Sequence, residues 1–323
     1  MEQDRKVNSI FSVGKTPYCL WDPDIKRLNS HFLNSIDHKY FEYVAHTNSV
    51  NIEGIDKHRG ATALRSAYHH GLETLFALIC SLLQAPDCVV GWVLRYRPQQ
   101  LRSMVSQISK GEIEFPYKLR LDDVTWESIA DFVLDWSGLE NPRKSETKKA
   151  YGKLWKRFAH QFTDEYSIGE YNSLKHGFRT GTGGFAVAVG RSNQPPAEKK
   201  MHTLGSSEFG HTFFTLQHIS EEPDDPNIQV RRSAVAWDPI AMGYGLVLIS
   251  FSIQNVVSFL KLLNDRALKV QFARPENDED FERPFADGPS VPTLSIGMNL
   301  QKEDIQLFTR PELDKIIRDS FKH

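Results

Sequence analysis

The chain has 323 residues, of which 40% are apolar and 25% charged, and a formal net charge of −2. That length suits one large domain or two small ones and is enough to bury a substantial core. The near-neutral balance argues against a wholesale polyanion binder but leaves room for a local basic patch. Residues 1–24 read as an N-terminal extension. Leu28 to Val44 predicts one helix rich in aromatics. Thr62 to Leu83 predicts the clearest helix, with Tyr68, Leu72, Leu75, Phe76, Ile79, Leu82 and Leu83 on one face, and Pro86 closes it shortly after. Val89 to Ile108 reads as a short apolar element followed by a helix restarted at Pro98, since proline suits a first turn. Asp123 or Thr125 caps a helix running to Trp136. Pro142 to Phe162 follows as a long basic helix, and a short helix then stops at Gly177, a good left-handed terminator.

After Gly177 the texture changes. Thr180-Gly181-Thr182-Gly183-Gly184 reads as a flexible connector. Phe185 to Val189, His211 to His218 and Val230 to Trp237 read as strands, rich in β-branched and aromatic residues between turn signals. Pro195-Pro196 and Glu221 to Pro226 are the intervening loops. Helix then returns, with Ile249, Ile253, Val256, Val257, Leu260 and Leu263 as its stripe and Asn264 as its end. Asn277 to Glu282 reads as a solvated acidic loop, and Pro311 to Ser320 as a final helix. The expected fold is mainly α (α+β). A helical bundle over residues 25–265 carries a small antiparallel sheet inserted at about 183–238, before a late helix. Residues 266–323 form a C-terminal segment.

Cys19, Cys80 and Cys88 are odd in number and have no CxxC spacing, which fits a reducing compartment with Cys80 as a small core hydrophobe. Met1 to Lys6 lead into no long apolar run, so no signal peptide is expected. The most apolar stretch, Leu246 to Leu263, is interrupted by Ser250, Ser252, Gln254, Asn255, Ser258 and Lys261, so no membrane partner is expected. A cytoplasmic location is the default expectation.

The densest chemistry lies in Glu170-Tyr171-Asn172-Ser173-Leu174-Lys175-His176-Gly177, extended by Phe178 and Arg179. His176 falls in the last helical turn, and an imidazole is the natural proton-transfer group at neutral pH. Lys175 and Arg179 are placed to hold an anion beside it, and Asn172, at i−4 from His176, shares its face. Lys-His-Gly is equally a common way to finish a helix. The second cluster is Arg65-Ser66-Ala67-Tyr68-His69-His70 with Glu73. At ~100° per residue, His69 flanks the apolar stripe near Arg65 and Glu73, whereas His70 points away from it. His69, Glu73 and His176 form the only candidate metal set, and no HExxH or carboxylate-rich pattern supports it. No metal and no cofactor are expected. No GxSxG elbow is present. The basic run of Arg143, Lys144, Lys148, Lys149, Lys153, Lys156 and Arg157 reads either as a phosphate-tracking surface or as the solvated face of a helix whose apolar side is Tyr151, Leu154, Trp155 and Phe158.

The R-x4-H element from Arg65 to His70, together with a helical body ending in Tyr-Asn-x-x-Lys-His-Gly, resembles the HEPN superfamily of helical-bundle domains. The resemblance covers at most residues 25–265 and excludes the inserted strands. Here the R-x4-H element lies in an early helix, whereas the family usually carries it late. The resemblance implies a metal-independent endoribonuclease acting at a dimer interface. Arg65 would hold the phosphate and His70 would exchange a proton with the 2′-hydroxyl or the leaving oxygen. His176 is a third catalytic candidate. His69, Glu73, Tyr171, Asn172, Lys175 and Arg179 are supporting or binding residues. The implied partners are RNA or another phosphate-bearing ligand and a second copy of the chain. Two other readings stand beside this one: a non-catalytic binding or oligomerisation module whose histidines knit helices together and whose sheet offers an edge, and a metal-dependent hydrolase.

Overall fold

The computed structural model describes residues 9–20, 24–177, 179–189, 202–218, 228–265, 271–286, 288, 292–300 and 308–320. Met1 to Lys6, Phe178 and the loops at Pro195-Pro196 and Glu221 to Pro226 lie outside them. The fold is mainly helical α+β, as expected. Its helices are α1 (Ile25–Ser35), α2 (Lys39–Ser49), α3 (Lys57–Gln84), α4 (Val89–Val93), α5 (Pro98–Lys110), α6 (Trp126–Leu134), α7 (Arg143–Thr163), α8 (Glu165–Lys175), α9 (Pro239–Asn264) and α10 (Arg310–Ser320).

The centre of the helical body is the α3–α9 pair. Helix α9 is started by Asp238, whose carboxylate accepts the Ile240 and Ala241 amides, and Pro239 occupies its first turn. By length and composition α9 could cross a membrane, and 61% of its most apolar window is buried inside the protein. The two helices approach closely because each offers a glycine. A Cβ on Gly71 would sit 2.8 Å from Ile249 Cγ2, and one on Gly245 would sit 2.6 Å from Tyr68 Cε2. Helix α2 packs on both α3 and α9.

The single helix expected over Leu28 to Val44 is two helices. Ile36 takes an extended ψ of 111°, and the Asp37 carboxylate accepts the Lys39 amide at 3.1 Å, which starts α2 afresh. The restart at Pro98 and the cap at Thr125, which accepts the Ser128 amide at 3.0 Å, are as the sequence predicts. The α6 helix ends at Leu134, short of Trp136. On α7, Tyr151, Leu154, Trp155 and Phe158 are buried, while Lys144, Lys148, Lys156 and Arg157 of the basic run face carboxylates.

Two hairpins and one sheet complete the fold. Strands β1 (Ser9–Val13) and β2 (Thr16–Leu20) pair around Gly14, whose φ of 58° suits the tight reversal. This hairpin lies within the stretch that reads, in sequence, as an N-terminal extension. Phe11 and Val13 sit in the core, and the Gln84 side chain fixes the turn through the Gly14 amide and carbonyl, both at 2.8 Å. Strands β3 (Thr180–Thr182), β6 (Gly210–His218), β7 (Ile228–Ala236) and β8 (Thr293–Leu300) form an antiparallel sheet in the order β3-β6-β7-β8. Strands β4 (Phe185–Val189) and β5 (His202–Ser207) form a separate pair. The glycine-rich connector is therefore partly strand: Thr180 to Thr182 pair with His211 to Phe213 at the sheet's edge. Gly183 supplies the turn beyond it, with a φ of 124°.

The acidic segment is also not a plain solvated loop. Asp278–Phe281 and Arg283–Phe285 are short 3-10 turns, and Phe281 packs edge-on against Tyr151 at 5.1 Å. The single apolar residue in an acidic run buries and takes the backbone with it.

The α3–α9 contact gives a stability test. In an open helix Gly→Ala gains ~1 kcal/mol of propensity. At Gly245 the added methyl meets the fixed Tyr68 ring, and overpacking of that kind costs ~1–3 kcal/mol. Gly245→Ala is expected to be destabilised by about 1 kcal/mol in urea unfolding, with overpacking outweighing propensity. A rise in midpoint would show that the helices can separate freely.

Candidate functional site

Glu170 lies near the middle of α8, on the face turned towards α3 and the sheet, and is fully buried. Its carboxylate is surrounded by N–H groups from three directions. Arg65 on α3 donates through Nε and Nη2 to Oε2, at 2.9 and 2.7 Å. One turn along α3, His69 Nε2 lies 3.1 Å from the same oxygen. His211 on β6 brings Nδ1 to 2.6 Å from Oε1, and the Trp237 indole, just past β7, donates to Oε1 at 3.1 Å. The other His211 nitrogen is 3.0 Å from Thr62 Oγ1 on α3.

Burial alone would raise the Glu170 pKa. The Arg65 charge, followed by the hydrogen bonds from His211 and His69, more than offsets it and holds the carboxyl well below its usual range. For His69 the balance goes the other way. Burial, reinforced by the Arg65 charge, lowers its pKa to about 4 despite Glu170. His69 is thus neutral near pH 7 and donates as an ordinary imidazole N–H rather than as half of an ion pair.

A second, more open cluster adjoins the first. Tyr171 follows Glu170, and its ring stacks on His69 at 5.1 Å and meets the edge of His70 at 5.4 Å. The Tyr171 and Tyr96 hydroxyls both donate to Glu73, at 2.5 and 3.2 Å, and Lys175 Nζ lies 3.6 Å from it. Glu73 therefore does not join the Arg65–His69 pair as its i+4 spacing implied. Glu170 takes that place, because it brings a full charge to the buried guanidinium, while Glu73 turns to the two phenols.

The α3 segment from Arg65 to Glu73 and the α8 segment from Glu170 to Lys175 do pack together. They do not assemble the expected catalytic set. Arg65 is buried, with two of its nitrogens committed to Glu170, whereas His70 is exposed on another side of α3. The pair is five positions apart, ~140° around the helix, so the two side chains diverge. Partial burial lowers the His70 pKa, with Lys175 adding to the effect and Glu73 opposing it. His176 and Arg179 are exposed at the helix end: the His176 amide donates to Asn172 O at 3.0 Å and the Arg179 amide to Ser173 O at 2.7 Å. Gly177, at a φ of 92°, makes the left-handed turn beyond them. The end of the motif thus terminates a helix, and its beginning supplies the buried charge. Among the described residues no group of three or more His, Cys, Asp or Glu side chains is placed to hold a metal, and His69, Glu73 and His176 are not such a group.

A cleft of about 620 Å³ opens beside the buried carboxylate. Arg65 and Trp237 reach it from the Glu170 cluster, Tyr166 and Ser167 from the first turn of α8, and Met242 and Phe285 from the other side. Asp164 and Asp238, the caps of α8 and α9, lie along it. The Arg65 nitrogen not used by Glu170, Nη1, lies 3.5 Å from Met242 Sδ. Neither Thr62 nor His211 lines this cleft. The Glu170–His211–Thr62 string has the connectivity of an acid–imidazole–hydroxyl triad, but Thr62 is only 7% exposed and His211 0%.

His211, Trp237 and Thr62 were not legible as site residues in the sequence. The available signal is faint: His211 shares the inward period-2 face of its strand with Phe213, a polar residue on an apolar side. Comparison with family models, curated proteins and solved structures finds no match for this chain.

The cluster predicts a pH dependence. A carboxyl held low in the fold contributes stability above its unfolded pKa and loses it as the pH falls through its folded value. An imidazole lowered to about 4 takes up a proton in the unfolded chain first, so stability falls as the pH drops from 6.5 to about 4. Both effects have the same sign, and the His69 share amounts to at most about 3 kcal/mol. His69→Gln is expected to flatten unfolding stability over that window. Glu170→Gln, which strands the buried guanidinium, is expected to cost about 3–5 kcal/mol at pH 7 by denaturant titration. A cost near zero would mean that the cluster is solvated in solution.

Proposed function

We propose that this chain is a HEPN-like, non-catalytic binding module that takes a small ligand in the cleft beside Glu170. The observation that carries this reading is the fixed position of Arg65. Two of its nitrogens are held by a buried carboxylate, and the residue itself lines a cleft of about 620 Å³ with aromatic and thioether walls. Ligand sites are usually concave, mostly apolar and supplied with a few fixed polar groups, with volumes of about 300–1,000 Å³. Pre-organisation of the arginine lowers the ordering cost of binding. The fitting ligand is a small, partly aromatic molecule with a polar head that accepts from Arg65.

The test is a ligand-observed NMR screen of small aromatic acids, amides and alcohols. Binders are expected for the wild type and are expected to be lost in Ser167→Trp, which fills the cleft mouth while circular dichroism stays unchanged. Equal binding by the two proteins would rule the cleft out.

A metal-independent ribonuclease is the second reading, favoured by the exposed His70 beside Tyr171 and Lys175. With its lowered pKa, His70 suits a general base, and Lys175 supplies positive charge. The partner would be RNA, and Arg65 would support the fold rather than hold phosphate. RNA cleavage in chelator by wild type, abolished in His70→Ala or His176→Ala, is the expected result under this reading. No cleavage of varied RNAs by the wild type removes it.

A further inference from the structure

Helix α10 is amphipathic yet none of its residues is buried: Leu313, Ile316 and Ile317, at i, i+3 and i+4, are 45%, 46% and 45% exposed. An apolar helix face normally lies against something.

A matching surface lies on the outer side of the four-stranded sheet. Side chains alternate across each strand, so the register separates the two faces. Phe213, paired with Ser233 and through it with Ser295, faces inward against Gly169 of α8. The next row out of phase, Phe214–Arg232–Ile296, faces outward, and so does Thr212–Ala234–Leu294. Phe214 and Ile296 are 60% and 59% exposed. A groove of about 210 Å³ runs here, with Ala234 and Leu294 along it and Phe185 of β4 beside it. Arg232 is the one charged residue in these two rows. Measured from Leu313, Glu312 lies about 100° to one side of the α10 stripe, and Arg310, Asp314 and Arg318 lie about 60°, 100° and 140° to the other.

We propose that these two surfaces form the interface of a homodimer, with α10 of each copy docked in the sheet groove of the other. Within one chain no residue of the helix is buried, while both halves of a complementary contact are present in every copy. A two-fold arrangement uses each half once and closes, with two identical contacts per dimer. Arg232 meets the Glu312 side, the flank without an arginine, which sets the direction of the helix in the groove. This inference does not depend on the ligand reading of the cleft.

The experiment is sedimentation velocity on the full chain at tens of micromolar. The wild type is expected at twice the 37.0 kDa chain mass. Ile316→Asp alters an already exposed helical position, and Ile296→Lys an exposed strand position, so neither should unfold the chain. Each is expected to weaken the dimer about tenfold or more. Mixing the two variants restores one intact contact, since the Lys variant keeps its helix and the Asp variant keeps its groove; a heterodimer tighter than either homodimer is expected. A monomeric wild type, a dimer indifferent to both substitutions, or a mixture no tighter than its parts would each overturn the proposal. A monomer whose α10 amides are protected from hydrogen exchange would overturn it too, because the helix would then lie on its own sheet.

Discussion

A carboxylate with no access to water has to be matched by donors, and the five N–H groups around Glu170 come from parts of the chain far apart in sequence. Burying an ion costs several kcal/mol even after relaxation, so the charge is tolerated only while its partners stay in place. That requirement holds α8 against α3 through Arg65 and His69. It holds the sheet against α8 through His211 and Trp237. Gly169, beside the carboxylate, lets the sheet come close: a Cβ there would lie 2.8 Å from Phe213 Cε2. An apolar seam could slide or rotate at small cost, whereas hydrogen bonds of 2.6–3.1 Å to one carboxylate leave little freedom.

The same constraint limits the chemistry available to these residues. An arginine that stabilises charge in a reaction has to meet charge that appears during the reaction. Arg65 already faces a permanent carboxylate, and its remaining nitrogen sits against sulfur. His69 is neutral and shares that carboxylate. These groups are well suited to hold a shape and poorly placed to shuttle protons to a substrate. His70, one residue on, is in a different environment, edge-on to Tyr171 at the surface, and the sequential neighbours Glu170 and Tyr171 divide in the same way. One faces the sealed network and the other faces the Glu73 cluster.

Much of the helical body is legible in the sequence because its signals are local. The stripe of α3, Pro98 at the start of α5 and Thr125 before α6 each act within a turn or two of themselves. The juxtaposition of the Arg65 and Glu170 segments is foreshadowed by their density of polar groups, but the partners are not. On helical spacing Glu73 is the natural acid for His69, and no local rule says that a glutamate ~100 residues away takes its place. His211 and Trp237 belong to strands whose pairing is non-local. Strand β8 is less visible still, because Gly297 and Asn299 dilute its β-propensity and its strand character rests on pairing with β7. Phe281 shows the converse: one aromatic outweighs five neighbouring polar residues because it finds Tyr151.

The position of the cleft follows from the polar joint. Its walls include the first turn of α8 and the exit of β7, which Glu170 ties together, and the entry of α9, which follows directly. Asp164 and Asp238 spend their carboxylates on starting those two helices, so they shape the opening before they can meet anything in it. Arg65 is shared between joint and cleft, with two nitrogens committed to the carboxylate and the third beside Met242, another residue of the cleft wall. A contact to that third nitrogen therefore cannot be separated from the fold. A ligand that accepts from Nη1 binds only where the carboxylate has already placed the guanidinium, and by mass action it stabilises that arrangement in return. On the proposed ligand reading, occupancy of the cleft and integrity of the α3–α8–sheet joint are two measures of one equilibrium.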